Sequence, residues 1–161
     1  MYDNLMKIIA KYSHLNGFEW LEHHHPNFWS EISSALGAVD ANSCKTKVSK
    51  EKNMMGQLKF APNEMNKCIK TELTLRGWHN PERYKFVLNK DADLTSKMLG
   101  EKMSFEEQKK FLESRNVEYT TGSTQADFFK ERVSIEVQFG KYSFVQYDMF
   151  VKHAADYMHG R

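Results

Sequence analysis

The sequence predicts one compact α/β or α+β unit, and three observations point there. Apolar residues recur at helical spacing in several early stretches, and one stretch near the C-terminus alternates apolar and polar residues as a strand does. The third is bulk composition: 161 residues with 40% hydrophobic and 13% aromatic content suffice for a sizeable core. A net charge of +2 is only mildly basic, so any nucleic-acid footprint has to come from local clustering. Cys44 and Cys68 are too few for a disulfide framework and are not spaced as a zinc site, which fits a reducing cytoplasm. The opening MYDNLMKIIAKYSH lacks the long apolar core of a signal peptide, and no later stretch approaches membrane-spanning length, so a soluble, unprocessed chain is expected.

Taken in order, Leu5, Ile8, Ile9 and Tyr12 fall at helical spacing, and Phe28, Trp29, Ile32 and Leu36 mark a second helix over 27–36. His23, His24 and His25 are read as structural or surface residues, because adjacent side chains on a helix point in different directions. The segment CKTKVSKEK, residues 44–52, holds four lysines against one glutamate and reads as a basic loop or frayed ribbon. Asn63 is placed to cap a helix running to about Arg76 and carrying Met65, Ile69, Leu73 and Leu75, with Gly77 as its stop signal before Trp78, His79 and Asn80.

Residues 84–88 read as a short strand, and 91–100 and 104–115 as two short helices. The second helix carries a capping box, Ser104 with Glu107. YTTGSTQ then supplies turn and loop residues. In RVSIEVQFG, Val133, Ile135, Val137 and Phe139 alternate with Ser134, Glu136 and Gln138, so Glu136 and Gln138 share one face of a half-buried strand. Asp127 lies nine residues before Glu136, and KER can turn the chain so that its segment pairs with that strand as a hairpin. Three oxygen-bearing side chains would then meet on a rigid sheet, a donor set suited to Mg²⁺ and to phosphodiester hydrolysis.

The segment QADFFKERVSIEVQFGKYSFVQYDMFVKHAADY resembles the catalytic core of the BglII/BstYI family of type II restriction endonucleases, with BstYI nearest. Upstream, KYSHLNGFEWLEHHHPNFWSEI, DANSCKTKVSKEKNMMGQLKFAP and KTELTLRGW resemble it in order and approximate spacing, so nearly the whole chain is covered. The resemblance implies a restriction-endonuclease-like core over 1–161, a central mixed sheet flanked by helices with about 91–115 as a helical insertion. It assigns the metal to Asp127, Glu136 and the Val137 carbonyl, and catalysis to Asp127, Glu136 and Gln138, with Asn80 or Glu82 as a fourth active-site residue. Lys141, Tyr142 and Ser143 fall where the family enters the major groove, and within a nuclease Lys45, Lys47 and Lys50 become phosphate contacts.

The implied activity is Mg²⁺-dependent cleavage of double-stranded DNA at a palindromic GATC-containing, RGATCY-like site by a cytoplasmic homodimer with no membrane role. The family enzymes continue beyond the helix that here ends in HAADYMHGR, so the resemblance also implies a C-terminally shortened chain. The alternative is a truncated, catalytically inactive DNA-binding module of the same fold.

Overall fold

The computed structural model describes residues 5–139 together with Val145 and Gln146. The chain divides after His79 into two compact units.

The first unit begins in irregular chain. The expected helix over Leu5 to Tyr12 does not form: Leu5 makes an isolated antiparallel bridge with Asp40, and the N–H of Met6 donates to the Val39 carbonyl at 3.1 Å. Ile9 and Tyr12 are almost fully exposed. So short a segment gains little as a helix without a surface to cover, and a backbone partner elsewhere takes its place. Helix formation starts at α1 (Gly17–His24), entered through Leu15 and Asn16 in left-handed conformation. The second helix, α2 (Phe28–Gly37), falls where the apolar spacing puts it. The His23 to His25 run lies among rings, with His25 stacked on Phe28 at 4.5 Å.

A 3-10 turn (Ala41–Cys44) leads into a small ribbon, β1 (Lys47–Val48) paired antiparallel with β2 (Leu58–Lys59). The lysine-rich stretch is therefore a ribbon. Next comes α3 (Pro62–Thr74), whose cap is Ala61 rather than Asn63; Pro62, lacking an N–H and fixed in φ, occupies the first helical turn. Met65, Ile69 and Leu73 repeat every four residues and form the buried stripe of α3, and α2 packs against this helix. Gly77, at φ 82°, ends the helical turn, and the Trp78 N–H turns back to the Leu73 carbonyl at 3.1 Å. Trp78 is buried edge-on to Phe28 at 5.1 Å, and its indole N–H donates to Glu31 Oε2 at 3.0 Å.

The second unit is built on β3 (Tyr84–Leu88), which pairs antiparallel with β4 (Thr120–Thr124) over the full register from Tyr84↔Thr124 to Leu88↔Thr120. The stretch read as turn and loop is thus a strand. Its threonines suit a pleated surface, and Gly122 admits the Phe86 ring, which would stand 2.6 Å from any Cβ there. Between these strands run α4 (Ala92–Gly100) and α5 (Phe105–Glu113). Asp91 caps α4 by accepting from the N–H groups of Asp93 and Leu94. The capping box of α5 is present in both directions: Ser104 Oγ accepts from the Glu107 N–H and Glu107 Oε2 from the Ser104 N–H. Val87, Met98 and Leu112 form a core between strand and helices, surrounded by Leu94, Phe105, Phe111 and Val117. Buried Gln108 is satisfied by donating to the Met103 carbonyl at 2.9 Å.

The last described pair is a hairpin, β5 (Phe128–Lys130) with β6 (Val133–Ile135). Among the described residues the strands thus form three antiparallel two-stranded sheets, a mixture of helices and small sheets consistent with an α/β restriction-endonuclease-like fold. No helix among them is long and apolar enough to cross a membrane.

Candidate active site

The β5–β6 hairpin carries the site. Glu131 and Arg132 form its two-residue turn with φ of 46° and 71°, the pair of left-handed residues whose twist matches that of antiparallel strands. The hairpin expected from the KER stretch therefore forms, with Lys130 still inside the strand. Beyond Ile135 the alternating stretch leaves the ladder, so pairing covers Val133–Ile135 and not the whole of RVSIEVQFG.

Asp127 stands just before β5, between buried Ala126 and buried Phe128, which fix its backbone to the core. Its carboxylate accepts a hydrogen bond from the backbone N–H of Val137 at 2.8 Å. That bond brings the acid onto the residue between Glu136 and Gln138. Glu136 is half-buried and its Oε1 is withdrawn from solvent; Val137 is half-buried and Gln138 exposed.

A second set of bonds holds the other side of Asp127. Asn80 Nδ2 donates to the Asp127 carbonyl at 2.9 Å, and Gln125 Nε2 donates both to Asn80 Oδ1 at 3.1 Å and to the Pro81 carbonyl at 2.8 Å. Asn80 thus touches the main chain of Asp127; Asn80 and Glu82 are both exposed. Gln125 was not singled out by the sequence, and no local pattern marks it: it lies between β4 and β5, and its partners are Asn80 and Pro81.

The structure links Asn80, Asp127 and Val137 directly. Lys45, Lys47 and Lys50 belong to the first unit, all exposed on or beside the β1–β2 ribbon, where Lys47 stands opposite Lys59. Lys141, Tyr142 and Ser143 lie outside the described residues. Among the described residues no three His, Cys, Asp or Glu side chains gather as a metal cluster. Of the expected set, the bond that is seen is the one between the Asp127 carboxylate and the Val137 N–H, with Glu136 and Gln138 adjoining Val137 in the chain.

A family model described as Restriction endonuclease BglII/BglIII matches residues 9–159. The chain belongs to this family. The matched span contains the Asp127 hairpin, the lysine ribbon and all the helices above, and it makes the protein a type II restriction endonuclease, a hydrolase whose substrate is DNA. Among curated proteins no match is found.

Proposed function

We propose that this BglII-family endonuclease cuts double-stranded DNA with Mg²⁺ at a palindromic GATC-containing site of the RGATCY kind, in the manner of BstYI. One observation carries the reading: the Val137 N–H holds the Asp127 carboxylate against the Glu136–Gln138 stretch. The donor chemistry fits Mg²⁺, which takes hard oxygens and keeps several waters. Asp127, Glu136 and the Val137 carbonyl would hold the ion; a carboxylate oxygen that accepts one N–H keeps acceptor capacity for a second partner. When bound, the cation compensates charge on the phosphate and makes water more acidic.

The remaining roles fall to side chains. Gln138, whose amide both donates and accepts, is suited to orient the attacking water. Asn80, buttressed by Gln125, fixes the backbone from which Asp127 projects. Lys45, Lys47 and Lys50 would meet phosphates, while Lys141, Tyr142 and Ser143 would read the major groove, a lysine donating to guanine O6 and N7. A palindrome calls for two-fold symmetry, so a homodimer delivers one cut to each strand. In this reading the β5–β6 hairpin belongs to a central mixed sheet, and the enzyme works in the cytoplasm on DNA.

The test is digestion of plasmid DNA with Mg²⁺ by the native protein and by Asp127→Ala, followed by sequencing of the cut ends. Cleavage at GATC by the native protein alone is expected. Equal cutting by both would remove the assignment, and GATC-specific binding without cleavage in any metal would favour an inactive DNA-binding module.

A further inference from the structure

Cys44 ends the 3-10 turn at the root of the β1–β2 ribbon, and Cys68 sits in the middle of α3. Their sulfurs are 3.5 Å apart, close enough for a thiol hydrogen bond. A disulfide needs about 2.05 Å, so the two sulfurs already stand within about 1.5 Å of bonding distance. Cys44 is buried and Cys68 only partly so, which gives the pair one accessible and one protected member. The Cys44 carbonyl also accepts from the N–H of Thr46 at 3.0 Å and of Ala61 at 2.9 Å. One residue therefore holds both ends of the ribbon as well as the sulfur that faces α3.

We infer that Cys44 and Cys68 form a reversible intramolecular disulfide by exchange with small disulfides of the glutathione type, so that the ribbon root is a site of oxidative modification. The half-buried Cys68 thiol loses its proton to solvent and its thiolate attacks the small disulfide, forming a mixed disulfide and releasing one small thiolate, which takes up a proton. Cys44 then gives up its proton and attacks the Cys68 sulfur, releasing the second small thiol. Two protein thiols and one small disulfide become one protein disulfide and two small thiols. The link ties the turn to α3 and fixes the base of the lysine-bearing ribbon, whatever that ribbon binds.

Both thiols are in contact, and the Cys68 thiol is held above the ordinary cysteine range, first by its hydrogen bond with Cys44 and then by burial, with Glu64 and Asp40 adding negative charge nearby. Exchange is accordingly faster at mildly alkaline than at neutral pH.

The experiment treats the full, reduced chain with oxidised glutathione at mildly alkaline pH, quenches in acid, counts thiols and maps peptides by mass spectrometry. The expected product has lost both thiols and the mass of two hydrogen atoms, contains a Cys44–Cys68 cross-linked peptide, and returns to the starting mass with dithiothreitol. Cys68→Ser should leave Cys44 unmodified. Two thiols still titratable, or a glutathione adduct that persists on Cys68 without the cross-linked peptide, would overturn the inference; the mapping of the unsubstituted chain decides this even if the serine variant fails to fold.

Discussion

Asp127 is bound at both ends, its carboxylate by the Val137 N–H and its carbonyl by the Asn80 amide. Substitutions separate the two attachments. Asp127→Asn keeps a hydrogen-bond acceptor for Val137 but loses the charge, so cleavage should fall by at least about a hundredfold, while gel-shift binding of DNA in the absence of Mg²⁺ persists. Asn80→Ala removes one donor from a partly solvated carbonyl. Its cost should be about 0.5–1.5 kcal/mol, a two- to tenfold loss of cleavage rate, read from plasmid linearisation time courses. That Asp127 would come to lie beside the Glu136–Gln138 stretch was legible in the sequence, because the KER stretch can turn the chain into a hairpin. The Val137 amide was not, since every residue but proline offers the same N–H and only the course of the chain selects one. Gln125 went unseen for a related reason: an amide that bridges Asn80 and Pro81 acts through partners more than forty positions away.

Turns and caps govern the elements that deliver these residues. Glu131 and Arg132 both adopt left-handed backbone, which costs an L-residue with a side chain about 1–2 kcal/mol. Replacing the pair by Asn-Gly should recover about 1 kcal/mol and raise the melting midpoint by roughly 2–4 °C, measured by calorimetry. At α5, Ser104 and the backbone hold the Glu107 carboxyl below the ordinary glutamate range. A lowered folded-state value adds stability above the unfolded pKa, and this is lost as pH falls through the folded one. The stability difference between the native protein and Glu107→Gln in urea titrations should therefore be largest near neutrality and shrink in acid. Leu112, fully buried in the core under β3, should cost about 2–5 kcal/mol when cut to alanine. The helices with strong stripes or caps were readable from the sequence, α2, α3, α4 and α5 among them. Leu5 to Tyr12 showed helical spacing but had no surface to bury it, and YTTGSTQ is a strand only because β3 lies alongside; both outcomes depend on distant contacts that local pattern cannot supply.

At the scale of the molecule, a net charge of +2 does not mark a DNA-binding protein, and what concentrates charge is the ribbon. If Lys45, Lys47 and Lys50 each neutralise a phosphate, their joint replacement by alanine should lower the slope of log affinity against log salt by about 2–3, measured by fluorescence anisotropy. Membership of the BglII family was legible because motif order survives along nearly the whole chain, whereas the pairing of strands was not written in any one motif. The tight hairpin has a kinetic corollary. Asp127 and Val137 are ten residues apart, and a loop of that size closes in about 10–100 ns, ahead of any partner reached through two intervening helices. In refolding from denaturant, pulse labelling with deuterium should find the Val137 amide protected before those of β4, so that the acid meets its amide while most of the chain is still searching.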